Sequence, residues 1–130
     1  MTKPHFTFWI VALLGLIWNL GGCMNYIVQT NPTSVAEMPD IYQLIINTRP
    51  AWGTAAFAIA VFGGAVGCIL LLMRRGVAVS VLIISLVGIA VAAIDTIMRV
   101  GMVPSMMLSV LVGAALLWYS TIAKRKDWLR

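Results

Sequence analysis

Asp95 and Arg99 are the two residues of this sequence most suggestive of chemistry, because both are ionisable and both lie at the end of a long apolar stretch. An acid four residues before a base is the order that favours an ion pair on one face of a helix. Ionisable side chains within membrane segments often contact ions, protons or polar ligands. Two interpretations follow: Asp95 faces a cavity and binds a cation, proton or polar ligand, or it pairs with Arg99 at the membrane interface.

Asn19 is a second candidate, because it lies near the middle of the first apolar stretch. Gly15, Gly22 and Tyr26 lie four or three residues from one another or from Asn19, which places all four residues on one helical face. An amide in hydrocarbon needs a hydrogen-bond partner on another helix or in water. Asn19 therefore indicates either a helix-packing hydrogen bond or a contact with a substrate or ion.

Small residues recur at helical spacing in the later apolar stretches. Ala56, Ala60 and Gly64 follow one another every four residues, and Ser85 begins a small-residue face that leads to Asp95. Such residues let helix backbones approach closely inside a membrane. We therefore expect Gly64 and Ser85 to pack against neighbouring helices.

Residues typical of catalysis and of metal binding are scarce. The single histidine, His5, is near one end of the chain, and the two cysteines do not form a ligand cluster with it. Cys23 and Cys68 are expected at depths that differ by ~15 Å, too far apart for a disulfide. No phosphate-binding loop or dinucleotide motif occurs. We therefore expect no enzyme, no cofactor and no metal site.

The distribution of charge predicts the elements that position these residues. Only 10% of the residues are charged and 62% are hydrophobic, against about 25% and 45–50% in soluble domains. A membrane span needs about 20 mostly apolar residues. The sequence therefore predicts an all-α polytopic membrane protein, a single domain over residues 1–130, and it excludes a soluble domain, a nucleic-acid binder and a disordered chain. The four predicted spans cover about 6–29, 51–73, 77–98 and 105–123.

Basic residues predict how these spans are oriented. With four spans, both termini and the turn at 74–76 share one side, which carries seven of the nine Lys and Arg residues. Cytoplasmic segments are enriched in Lys and Arg. We expect a bacterial inner-membrane protein with both termini cytoplasmic and loop 31–49 periplasmic or extracellular. The basic tail at 124–130 is either only this topology signal or a contact for anionic lipids.

The loop at 31–49 contains a short amphipathic pattern. Ile41, Leu44 and Ile45 form an apolar stripe at helical spacing, which predicts a short outer helix. This helix either lies on the membrane surface as an interfacial helix or covers a cavity between the spans.

Two short segments carry a resemblance to a known group of proteins. Trp18-Asn19 in the first span and Pro50-Ala51-Trp52 at the start of the second occur in a chain that resembles small bacterial four-helix inner-membrane proteins, some of which are labelled sugar transporters. The resemblance implies the same four-span topology. It implies no transport site.

The expected function is that of a non-catalytic accessory or structural subunit. Its small-residue faces would pack against other membrane subunits or a second copy, with membrane lipids around them, and no nucleic acid is involved. The alternative is a small oligomeric transporter or channel component for a polar solute or ion. We expect that alternative to need several copies, since four helices leave little room for a sugar-sized cavity.

Overall fold

The computed structural model describes residues 3–129, so Met1, Thr2 and Arg130, the last of which contributes to the basic tail, lie outside the described residues. Within that range the chain forms six helices and the connections between them. They are α1 (Phe6–Gln29), α2 (Pro32–Ala36), α3 (Asp40–Thr48), α4 (Ala51–Leu72), α5 (Val77–Val100) and α6 (Pro104–Arg125).

Four of these helices, α1, α4, α5 and α6, are long and apolar enough to cross a membrane. Their 22 or 24 residues correspond to roughly 33–36 Å of helix, against a hydrocarbon core of about 30 Å. The expectation of an all-α, four-helix membrane protein is confirmed. The predicted outer loop contains the two short helices α2 and α3.

Small residues determine how the long helices pack. Helix α4 lies at the centre, between α1 and α5, and α6 packs mainly on α5. A Cβ atom at Gly88 of α5 would lie 2.9 Å from the Ala56 carbonyl oxygen of α4, and one at Gly22 of α1 would lie 2.7 Å from Val61 of α4. These helices can approach so closely only because glycine lacks a side chain. The first and last long helices, α1 and α6, touch only sparsely.

The bundle has two different ends. We call the end formed by 30–50 and 101–103 the loop end, and the end formed by 3–5, 73–76 and 126–129 the terminal end. A cluster of buried residues fills the terminal end: Phe8, Ala12, Leu71, Ala78, Ala123, Trp128 and Leu129.

The C-terminal tail contributes to this cluster. Arg74, in the turn after α4, donates from Nε to the Trp128 carbonyl oxygen at 2.9 Å, and the Trp128 ring meets Phe8 edge-on at 5.9 Å. The hydroxyls of Thr7 and Tyr119 lie 3.1 Å apart and join α1 to α6. The tail therefore folds back into the bundle, which neither interpretation of its basic residues anticipated.

A cavity at the loop end as candidate functional site

A cavity of about 510 Å³ lies among the four long helices at the loop end. Ligand sites of proteins commonly enclose about 300–1,000 Å³. The expectation that one four-helix chain leaves little room for such a cavity was therefore wrong. The physical reason is the uneven packing: glycines draw α1 and α5 onto α4, whereas α1 and α6 stay apart and leave a gap between them.

Most of the cavity wall is apolar, with polar groups at particular depths. Helix α1 contributes a helical stripe of Trp18, Gly22, Asn25 and Gln29, and α6 contributes Met106, Ser109, Val112 and Leu116. Ile17, Trp18 and Gly21 line the cavity and are also exposed on the outside of the bundle. The cavity therefore opens sideways through the seam between α1 and α6.

Helix α3 covers the loop end of the cavity. At the loop end, α3 contributes three residues to the cavity wall: Tyr42, Ile45 and Ile46. Two interpretations of the outer helix were open, and the structure agrees with the one in which the helix covers a cavity between the spans. Arg99 of α5 ties it there, because its Nη1 atom donates to the Ile45 carbonyl oxygen at 3.2 Å and to the Thr48 hydroxyl.

Asp95 and Arg99 form an ion pair beside this attachment. The Arg99 Nη2 and Asp95 Oδ2 atoms are 2.8 Å apart, and the Asp95 side chain is only 5% exposed. The carboxylate packs against Gly53 of α4, where a Cβ atom would lie 2.9 Å from Oδ2. The cavity wall includes the adjacent Thr96 and does not include Asp95. The carboxylate thus orients Arg99, which in turn ties α3 to α5.

Asn19 lies at the contact between α1 and α4 and also lines the cavity. Its Nδ2 atom donates to the Gly15 carbonyl oxygen at 2.8 Å and lies 3.9 Å from the Cys68 sulfur. Its Oδ1 atom rests where a side chain on Gly64 would otherwise be, and accepts no hydrogen bond from residues 3–129. The amide therefore packs α1 against α4, and its carbonyl oxygen keeps unused acceptor capacity beside the cavity.

Ser85 joins two helices at a similar depth of the cavity. Its hydroxyl donates to the Ala60 carbonyl oxygen of α4 at 2.6 Å, and both residues line the cavity. Gly22 also lines the cavity, against Val61. Tyr26, although on the same face as Asn19, instead stacks on Phe57 at 5.9 Å and lies outside the cavity wall.

The two cysteines are buried as free thiols at different depths. The Cys23 sulfur donates to the Val61 carbonyl oxygen at 3.4 Å, and Cys68 lies next to Asn19. Both thiols therefore pack α1 against α4.

Arg49 lines the cavity, although the charge pattern marks it only as one of the two basic residues, with Arg99, that lie on the loop side. Its Nη2 atom donates to the Gln29 amide oxygen at 2.9 Å and its Nε atom to the Thr54 hydroxyl at 3.2 Å. The guanidinium lies 5.3 Å from the centre of the Phe57 ring, a cation–π distance. A basic residue on the side that the positive-inside rule depletes was the available signal for a role other than topology.

The charge on Arg49 is held in an unfavourable environment. Burial lowers the pKa of its guanidinium and the positive charge of Arg99 adds to this effect, while Tyr26 and the carboxylate of Asp95 partly offset it. An arginine nevertheless remains protonated in proteins. The cavity wall therefore carries a permanent positive charge at the loop end, beneath α3.

Two further observations bear on what the site can be. Residues 3–129 contain no group of three or more His, Cys, Asp or Glu side chains that could hold a metal ion. A comparison of the chain with protein families, curated proteins and solved structures gave no match.

Proposed function

We propose that this membrane protein binds a small, largely apolar molecule in the loop-end cavity, as a ligand-binding or transport component of the membrane. The observation that carries the proposal is a cavity of ligand size inside one chain. A few polar groups, among them Asn19 and Arg49, interrupt an otherwise apolar wall, as is typical of sites that orient a ligand. Residues at the terminal end are tightly packed, so transport would require that end to open.

The proposal includes an orientation. We propose a bacterial inner-membrane location with both termini in the cytoplasm, on the strength of the charge distribution. The cavity would then lie in the outer half of the bilayer. The resemblance to small four-helix inner-membrane proteins agrees with this arrangement and stays a prediction.

A nitroxide-labelled decanol in lipid nanodiscs tests whether the cavity binds a ligand. We expect a saturable, motionally restricted spectrum from one probe per chain. Ser109→Phe fills the cavity from α6 and should abolish that spectrum. Leu108→Phe is the matched control, because Leu108 is 48% exposed and lies outside the cavity wall. Equal spectra from the two variants would contradict the proposal.

A second candidate function is that of an accessory subunit, and the exposure of α6 favours it. This helix buries only Leu116, Ser120 and Ala123, whereas Leu111 and Trp118 are more than 60% exposed. Such a face is available for another membrane subunit or a second copy. Cysteine cross-linking from Leu111→Cys in native membranes tests it, and a chain that forms no cross-linked species there would contradict the accessory role.

A further inference from the structure

We propose that the loop-end cavity recognises an anionic amphiphile, with the charged head group on Arg49 and the alkyl chain along the cavity. This inference rests on the proposed function and names the class of ligand.

The first step is the charge balance around Arg49. Three charged side chains, Arg49, Arg99 and Asp95, lie close together at this end of the bundle, with the Tyr26 hydroxyl nearby. The Asp95 carboxylate is engaged by Arg99, which donates to both of its oxygens at 2.8–3.2 Å. Within residues 3–129, Arg49 forms no ion pair. One positive charge is thus left without a counter-ion in a partly buried position, where an uncompensated charge is costly.

The second step is the donor capacity of Arg49. A guanidinium has five N–H donors in a planar fork. One is used on Thr54 and one on Gln29, so the Nη1 edge makes no hydrogen bond to residues 3–129. The planar fork suits a carboxylate or a phosphate, to which it can donate two parallel hydrogen bonds.

The third step is the position of that fork. Gln29, Thr54 and Phe57 hold the guanidinium from three sides, and Arg49 itself belongs to the cavity wall. A side chain held in this way loses little conformational entropy when it binds a ligand. The head group would therefore meet a preorganised donor.

The fourth step is the shape and polarity of the remaining cavity. From Arg49 to Gly64 the wall follows α4 for roughly 20 Å of helix rise. Phe57, Ala60 and Val61 line that path, and the seam between α1 and α6 gives access from the lipid. Amphiphiles with equal alkyl chains meet the same apolar wall, so the wall itself does not discriminate among them. The head group must therefore supply the discrimination, which is the role we give to Arg49.

The test compares four nitroxide-labelled probes with equal chains in nanodiscs: decanoate, decyl phosphate, decanol and decyltrimethylammonium. We expect the two anions to bind at least about tenfold more tightly than decanol, as hydrogen bonds to a charged group permit. Arg49→Gln should remove this preference and keep decanol binding, whereas Arg49→Lys should retain most of it. Arg75→Gln is the charge-matched control, since Arg75 is exposed at the terminal end.

The outcomes separate this inference from the proposed function. If decanol and the anions bind equally, or if Arg49→Gln keeps the anion preference, the inference is wrong and the cavity remains a ligand site. If none of the probes binds, both are wrong. Inorganic phosphate, which has no alkyl chain, should displace labelled decyl phosphate poorly. If it competed as well as unlabelled decyl phosphate, the site would bind small anions and the amphiphile proposal would be wrong.

Discussion

Asn19 occupies the space that a side chain on Gly64 would fill, so these two residues fix how α1 and α4 fit together. A Cβ atom on Gly64 would overlap the Asn19 amide, which at the same time donates to the Gly15 carbonyl oxygen one turn earlier. A polar side chain thus sits at the centre of the membrane bundle with its amide nitrogen hydrogen-bonded, while its Oδ1 atom, which accepts no hydrogen bond from residues 3–129, is not fully buried. Both residues also line the cavity.

Gly64→Ala should therefore destabilise the protein. The added methyl group cannot be accommodated unless Asn19 moves, and overpacking of this kind costs about 1–3 kcal/mol. Gly21→Ala is the matched control on α1, because a Cβ atom there meets nothing within 4 Å. Thermal unfolding in detergent measures both.

Combining Gly64→Ala with Asn19→Ala should recover part of the stability that Gly64→Ala loses, because the obstructing amide is gone. Equal melting temperatures for the Gly64→Ala and Gly21→Ala single variants would refute the packing described for Asn19.

Asp95→Asn should loosen α3 as well as lower stability. The variant leaves Arg99 without its carboxylate, and removing one partner of a buried pair costs about 3–5 kcal/mol. Because the Arg99 side chain is 20% exposed and therefore partly solvated, we expect a smaller loss of stability, about 2 kcal/mol. Because Arg99 also holds Ile45 and Thr48, amide hydrogen exchange over 40–48 should accelerate. Unchanged exchange in that segment would show that Asp95 does not position α3.

Trp128→Ala should destabilise the bundle far more than Trp118→Ala. Trp128 is 9% exposed and packs on Phe8, whereas Trp118 is 63% exposed. Truncating a buried aromatic residue costs about 3–5 kcal/mol. Melting temperatures of the two variants give the comparison, and a similar small loss in both would mean that the tail does not pack into the terminal end.

The amino-acid sequence predicts the helices well and their contacts poorly. Long uncharged stretches can only be spans, so the fold class followed from composition. The pairing of Asn19 with Gly64 depends on the register between two helices, which spacing within each helix does not determine. Trp128 and Leu129 follow a run of mostly basic residues, which indicates an exposed tail, and yet both side chains are buried.

The candidate site was predictable only in its parts. Asn19, Gly22 and Ser85 stood out as polar or small residues in apolar segments, and all three line the cavity. The cavity itself results from the sparse contact between α1 and α6, which no local pattern encodes. Arg49 was overlooked because its partners, Gln29 and Phe57, lie on two other helices.

Cysteine accessibility along α6 tests the central claim, that one chain encloses an open cavity at its loop end. The substitutions Ser109→Cys in the cavity, Leu108→Cys on the outer face and Ser120→Cys in the packed terminal end are compared in nanodiscs with a small, neutral thiol reagent. The unsubstituted protein gives the background, because both of its cysteines are buried. We predict rapid labelling at position 109, slowed by decanol. Labelling should be slow at 108, because the outer face is covered by lipid, and slow at 120, because that residue is packed. Labelling at 109 no faster than at 120 would contradict the account.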